Sequence, residues 1–507
     1  MAEKVRQAVW RIFIACAALT LLITVVLCVL KSQDDILVPQ VIKKPFYFFA
    51  LFFAAGLVLS KMEPFLEKHK RLFLILFLAA YGITVYVLGV MSRGIPVNDS
   101  GVVYQGAQYM AGLSEEIAWH YFARWHNNIM PMMYLGLLFR IAVFFGIKDP
   151  WYFAVAVNTV YVLIALYCVF WLGSRREKHG TASGWLGMLM LALYFPIFGH
   201  TQSMYTDAFS FCYGIGAFCL WLHNQESGRK GVKYQLGNVL AGLVWAVGAQ
   251  LKMTIVISLI AVVCYQLLFG GFREFLRRCT AAILLVTAVA VGCSCYIKTL
   301  PSREYENAWG MPFVGYLIAL GLERDGSFDL ESEYFNGVCG EEGRDKWLYT
   351  KAYIWEHKGN FFDREHVVSK LRHNFASGTM IASDFLWTAE REGFVYQCIS
   401  YWGEYRVPYR TWITGYWYMV LGLGVVAWFS RAVLCRGKED VAVFTAILSM
   451  FGIMLYAMIG EANNRQMYNH LPWFFCVANM GMWVLLDLFH RGAAFAAAKR
   501  GAKERAV

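Results

Sequence analysis

The sequence predicts an all-α, polytopic transmembrane bundle of about twelve crossings, with a juxtamembrane helix and one large loop on its outer side. Composition is the first reason. Of 507 residues, 58% are hydrophobic, 17% aromatic and only 16% charged, and mean hydropathy is +0.45. That is too apolar for a soluble globular chain and excludes a disordered one. The second reason is the recurrence of apolar runs of roughly 16–23 residues, each about long enough to cross a ~30 Å hydrocarbon core as a helix. The third is the alternation of basic and non-basic loops.

Candidate crossings are 9–30, 45–60, 72–91, 151–173, 182–198, 207–223, 235–251, 253–270, 279–298, 412–434, 441–460 and 471–489. The first run, Val9–Leu30, follows Lys4 and Arg6, and no convincing small-residue cleavage site comes after it. It therefore reads as a retained helix and not as a signal peptide. One set of loops holds Lys61, Lys68, Lys70 and Arg71; Arg175, Arg176 and Lys178; Arg229, Lys230 and Lys233; Arg273, Arg277 and Arg278; Arg436 and Lys438. Both termini join this set, the tail with Arg491, Lys499, Arg500, Lys503 and Arg505. Positive charge stays inside, so these loops are expected in the cytoplasm, and twelve crossings with both ends inside satisfy all of them. The net charge of +11 then reports orientation and gives no sign of nucleic acid.

One apolar stretch is left out of the count. Counting Ile129–Phe145 as a crossing would move Arg175-Arg176-Glu177-Lys178 outside, and the stretch carries Pro131 and Arg140. It reads as a helix lying at the outer interface, apolar face in lipid and polar face towards a cavity, with a plain transmembrane helix as the alternative. The expected organisation is 1–91, N-terminal helices; 92–150, a first outer loop with the interfacial helix; 151–298, central helices; 299–410, the large outer loop; 411–507, C-terminal helices and basic tail. The large loop is too apolar for disorder (Trp309, Phe313, Tyr316, Leu317, Phe385, Trp387), and its middle, Asp363–Leu386, includes a helix-like run. Cys339 and Cys398 are its only cysteines, and a disulfide or two free thiols are both open. The other 11 cysteines lie in or beside apolar helices without a CxxC pair, and read as small packing residues. No repeat, low-complexity tract or nucleotide-binding glycine motif is present.

Charge at the mouths of apolar helices marks the candidate site. Asn98-Asp99-Ser100 follows the third long apolar segment, and Tyr205-Thr206-Asp207 follows another, on the same outer side. Carboxylates at a bilayer boundary are costly without a task. Two that converge on one cavity suggest an acid/base pair acting on a substrate delivered by lipid. A plainer reading stands beside each: Asp99 or Ser100 starts a helix Gly101–Ala111, and Asp207 caps Ala208–Leu222. Lys252 lies between two apolar helices with no acidic neighbour in sequence, so it meets an anion or snorkels. Arg465 lies in the outer turn Glu461–His470 and either grips a phosphate through a bidentate fork or pairs with Glu461 four residues earlier. His126, His200 and His470 face outward as hydrogen-bonded interface residues.

In order and sidedness these elements resemble the GT-C superfamily of membrane glycosyltransferases, which includes protein O-mannosyltransferases, the bacterial aminoarabinose transferase and oligosaccharyltransferase catalytic subunits. The matching residues are Asn98-Asp99-Ser100-Gly101 with Tyr104, Ala107 and Tyr109; Trp125-His126-Asn127-Asn128; Tyr205-Thr206-Asp207; Gln250-Leu251-Lys252; and Glu461-Ala462-Asn463-Asn464-Arg465-Gln466-Met467-Tyr468 before Pro472. The likeness is greatest to bacterial members related to the O-mannosyltransferases and spans nearly the whole chain, although each motif alone is short. The N-terminal hairpin 9–60 departs from the pattern. The resemblance implies an inverting transferase of a bacterial cytoplasmic membrane, with an extracytoplasmic site. It implies a sugar donor on a polyprenyl phosphate, membrane lipid as surroundings, and a glycan, lipid or protein acceptor of unknown identity. Asp99 would be the general base and Asp207 would orient the acceptor or support Asp99, with Asn98, Tyr104, Tyr205, Lys252, Glu461, Arg465 and Tyr468 binding substrate. Oligosaccharyltransferases hold a divalent metal with Asp-x-Asp at the second motif. Here Asp207-Ala208-Phe209 lacks the second carboxylate, so neither metal nor cofactor is expected.

Three other classes remain. A ligase or polymerase using a lipid diphosphate would rely on Arg and His in its outer loop, and the early acidic motif argues against it. A transporter would show polar or broken helices near the midplane and repeated halves, and a membrane scaffold would need no charged cluster at all.

Overall fold

A computed structural model describes residues 2–30, 41–323, 326–327, 332–338, 345–434 and 439–504. Among them the structure is helical, with one isolated antiparallel bridge, Gly94–Ala389. Ten helices are long and apolar enough to cross a membrane. Nine correspond to predicted crossings, and the tenth, His126–Phe144, contains the stretch assigned to the interface.

The three remaining predicted crossings differ from expectation for local reasons. Residues 182–198 form only a 13-residue helix, Gly180–Ala192, before a break and a short helix Pro196–Thr201. Pro196 has no N–H to give to the preceding turn, so the first helix ends before it. Residues 207–223 divide into Thr206–Ser210 and Tyr213–Glu226. The helix Gly231–Leu251 has 21 residues, but Lys233, Gln235, Asn238 and Gln250 lower its apolar content.

The long N-terminal helix Ala2–Leu30 packs on the C-terminal helices Arg406–Leu434 and Val441–Ile459. Trp10 stacks on Phe444 at 4.1 Å between centroids, and the Arg11 guanidinium donates to Ala432 O at 2.9 Å. Lys44–Lys61 lies beside the same group, with Phe48 stacked on Tyr416 at 4.6 Å. Both N-terminal helices thus cover the helix Arg406–Leu434.

The helix Ile129–Phe144 has eight buried residues and packs against Asn98–Met110, where Arg140 Nε donates to Met110 O at 2.6 Å. In the large outer segment, the helix-like run expected in 363–386 is the helix Arg364–Phe375, started by Asp363, whose carboxylate accepts from His366 N at 2.8 Å. Cys398 is a buried free cysteine, and Cys339 lies outside the described residues.

Three distant segments are tied together behind the site. Ile95 N donates to Thr388 O at 2.9 Å and Glu390 N donates to Arg93 O at 2.9 Å. The Gln202 side chain joins both strips, accepting from Gly94 N at 3.0 Å and donating to Phe385 O at 3.0 Å. A Cβ on Gly94 would lie 2.1 Å from Phe385 O, so only glycine permits this approach. The junction ties residues 93–95, 199–202 and 385–390 into one frame.

Candidate active site

Both predicted carboxylates lie in the first turn of a helix, yet neither serves as its cap. Asp99 opens Asn98–Met110 and Asp207 opens Thr206–Ser210, with no side-chain capping bond in either case. Asn98 takes φ of 51°, a left-handed backbone that asparagine tolerates better than most residues, and this kink fixes the direction in which Asp99 leaves the chain.

Asp99 is held by two tyrosines. Tyr121 OH donates to Oδ1 at 2.8 Å and Tyr205 OH donates to Oδ2 at 3.3 Å. Asn128, 1% exposed, orders both phenols: its Nδ2 donates to Tyr121 OH at 2.6 Å, and its Oδ1 lies 3.3 Å from Tyr205 OH. A carboxylate has about four lone-pair sites. Two remain for a substrate hydroxyl.

Asp207 is completely buried, and two cations meet it. Lys252 Nζ donates to Oδ1, and Arg465 Nε lies 3.4 Å from Oδ2 as an ion pair without a hydrogen bond. The anion that Lys252 meets is thus inside the protein, which sets aside the snorkelling alternative. The alternative pairing of Arg465 with Glu461 is also not made: among the described residues its ion-pair partner within 4 Å is Asp207. Arg465 lies over the Tyr205 ring at 5.1 Å and near the Phe385 ring at 5.9 Å. Tyr205 therefore touches both halves, its hydroxyl on Asp99 and its face on the guanidinium that neutralises Asp207.

The other expected residues are more dispersed. Tyr468 is buried and stacks on His200 at 3.7 Å, forming a wall behind the cations. Burial pushes the His200 imidazole down to about 4, so at neutral pH it is uncharged and its Nε2–H meets Met380 O at 2.9 Å. Glu461 accepts from Asn463 Nδ2 at 3.4 Å, and burial holds its carboxyl above the usual range. Asn98 is exposed. Tyr104 stands apart from Asp99: it packs edge-on to Phe139 at 5.4 Å and faces the Arg93–Asp149–Glu390 ion group. His126 pairs with Glu306 at 3.4 Å, as an interface residue would.

Four participants were not picked out in the sequence. Tyr121 and Asn128 complete the Asp99 cradle, and Asp384, raised by burial and close to Arg465, adds a carboxyl from the large outer segment. Lys370, 1% exposed, donates to Gly321 O at 2.8 Å and Gly460 O at 2.6 Å, anchoring that segment to the backbone just before Glu461. Only Asn128 had a sequence signal, its place in Trp125-His126-Asn127-Asn128. Among the described residues no group of three or more His, Cys, Asp or Glu is placed to share a metal ion.

Comparison with known proteins returns structures alone. No family model matches the chain, and no curated protein does. Archaeal oligosaccharyltransferase AglB from Archaeoglobus fulgidus, solved with an inhibitory peptide and a dolichol-phosphate, is similar at 11% identity and a TM-score of 0.44. That match covers 83% of this chain and 52% of the other, so this chain spans about half the length of the archaeal protein. The apo form of an oligosaccharyltransferase from the same organism matches at 11% identity over 83% and 52% of the two chains, with a TM-score of 0.39. ArnT from Cupriavidus metallidurans, bound to undecaprenyl phosphate, matches at 12% identity over 80% and 77%, with a TM-score of 0.34.

Proposed function

We propose that the chain is an inverting glycosyltransferase of the GT-C kind, moving a sugar from a polyprenyl phosphate to a hydroxyl acceptor at the outer face of a membrane. The observation that carries this reading is the pairing of a held, partly open carboxylate, Asp99, with a neighbouring cluster of two cations around one carboxylate, bridged by Tyr205. The acceptor oxygen attacks the anomeric carbon on the face opposite the phosphate. Its proton passes to Asp99, the bond from the anomeric carbon to the phosphate oxygen breaks with its electrons staying on that oxygen, and the configuration inverts.

Lys252 and Arg465 outnumber Asp207 by one charge, so the pair can meet a phosphate oxygen as well as Asp207. As the glycosidic bond breaks, the departing phosphate gains negative charge, and cations already in place stabilise that change more than the ground state. Lysine has three N–H donors and arginine five, so both can hold Asp207 and a phosphate together. In this reading Asp207 is a positioning residue that aims the cations.

The test is mass spectrometry of envelope glycans and lipid-linked sugars in a deletion strain. A polyprenyl-phosphate sugar should accumulate while one envelope modification disappears, and the intact gene should reverse both. Asp99→Asn keeps size and removes basicity, and should lower transfer by at least ~10²-fold. Full complementation by Asp99→Asn would remove Asp99 from the reaction.

A further inference from the structure

At the end of the bundle away from the candidate site the helices enclose a second cavity, of about 250 Å³. The helix Gly231–Leu251 joins the two ends. Lys252 follows its C-terminus, whereas Tyr234 in its first turns donates to Gln225 Oε1 at 2.6 Å at the cavity wall. Trp221, Tyr265, Phe269, Glu274, Arg278 and Gln266 are among the residues that line it. None of these residues takes part in the site described above.

Gln266 is the informative residue. It is 1% exposed, lines the cavity, and its Nε2 has no hydrogen-bond partner. A buried amide donor left unmet is costly, and a ligand that accepts from it is one way to offset the cost. The backbone around it is also unusual. Gln266–Gly270 is a π-helical turn, a form that concentrates at functional sites. A Cβ on Gly270 would come within 2.6 Å of Gln266 Oε1, so the glycine keeps room for the amide.

The polar groups carry both signs. Arg278 Nε and Arg277 share Glu274 Oε2, each at 2.6 Å. Glu226, also in the wall, is bound through both oxygens by Arg175. The ligand this lining fits is a zwitterion: an anionic oxygen towards Gln266 Nε2 and Arg278, and a cation towards Glu274 and the aromatic faces. Leu267 and Phe272, each within two positions in sequence of a lining residue, are 47% and 67% exposed, and the helix Phe272–Ile297 buries only Cys279 and Ala282, so exposed apolar surface adjoins the cavity lining.

We propose that this cavity is a binding site for the headgroup of a membrane phospholipid, a phosphodiester bearing a primary ammonium. The proposal is independent of the transferase reading. The purified full chain in detergent would be titrated with phosphatidylethanolamine, phosphatidylglycerol and phosphatidylcholine, and bound lipid read by native mass spectrometry. Phosphatidylethanolamine should be retained about tenfold more strongly than the other two. Gln266→Leu should lower that retention about tenfold, the effect of one hydrogen bond to a charged group. In lipid-free detergent the same variant should melt no lower than the parent, because it removes an unmet donor. Gly270→Ala, which leaves every polar group in place but crowds the amide, should weaken retention as well. Equal retention of the three lipids, or unchanged retention in Gln266→Leu, would overturn the proposal. Displacement of the lipid by glycerophosphoethanolamine or inorganic phosphate at equal concentration would show that a soluble phosphate, and not a lipid, is the occupant.

Discussion

Replacing Lys252 with Met strikes the most buried ion pair of the site. Asp207 is 0% exposed and its Oδ2 makes no hydrogen bond, so Lys252 supplies its direct donor, with Arg465 Nε 3.4 Å away as the second charge. Methionine keeps the apolar stem and deletes the charge, leaving the carboxylate with a single partner. Breaking one side of a buried pair costs about 3–5 kcal/mol. Total stabilities are about 5–15 kcal/mol, so the unfolding midpoint should fall far beyond experimental scatter. Adding Asp207→Asn removes the stranded charge, and the double variant should recover most of the loss, a coupling of roughly 2–3 kcal/mol. Donor binding should not recover with it. On the proposed reading the double variant still lacks one phosphate contact of about 1.5–3 kcal/mol, so polyprenyl-phosphate sugar should bind about 10- to 150-fold more weakly than to the parent. The assays are thermal unfolding at fixed scan rate in nanodiscs and donor binding on the same samples. If Lys252→Met melts with the parent, the ion pair is not as described; if the double variant binds donor normally, Lys252 does not touch the phosphate.

Three further outcomes are expected. Tyr121→Phe takes a donor from Asp99 and the acceptor from buried Asn128 Nδ2, so transfer should drop roughly tenfold with donor affinity little changed, and an unchanged turnover number would detach Tyr121 from the base. Burial pushes Lys370 down to about 8 from 10.5, so between those values the folded chain binds fewer protons than the unfolded one and stability from this group rises with pH; below about 8 its penalty is present in full. The stability of Lys370→Met relative to the parent should therefore shift in the parent's favour between pH 7.5 and 10, and a flat difference would mean that the lysine is not desolvated. Single-cysteine labelling from outside, in a cysteine-free background, should reach position 99 and spare position 177, and the reverse pattern would invert the topology.

Asp99, Asp207, Lys252 and Arg465 were legible because each puts charge beside an apolar helix, where charge is expensive. The partners that give the charges their roles were not. Lys252 reads in sequence as a cation without an anion, since Asp207 lies 45 positions away and the two meet only after the helices pack. Tyr121 sits on a six-residue helix, Trp119–Arg124, too short for a periodic signal, and reaches Asp99 across 22 positions. Tyr104 follows Asp99 by five residues on the same helix, which places it about 140° further around the axis, and it turns towards Arg93 and Asp149. Two of the predicted crossings run through breaks because hydropathy stays high across them, at Pro196 and between Ser210 and Tyr213.

Those breaks explain how an apolar bundle presents a polar site at all. Asp99 follows a left-handed residue, Asp207 stands on a five-residue helix, Lys252 is extended between two helices, and Arg465 lies in the irregular turn Asn464–His470. A continuous helix satisfies its own backbone and offers only side chains to the cavity. An interrupted one also frees N–H and C=O groups, which at membrane depth are tolerated only where protein or a polar cavity meets them. Here protein does meet them: Gln202 bonds the backbone of Gly94 and Phe385, and Asn158 Nδ2 donates to Thr201 O at 3.0 Å and Ser203 O at 3.1 Å. Asn158 is 1% exposed on the long helix Pro150–Gly173, so a rigid element supports the broken segment that carries Tyr205 and Asp207. These charged groups sit on short, interrupted pieces, and the piece that carries Tyr205 and Asp207 is held by a side chain from a longer helix.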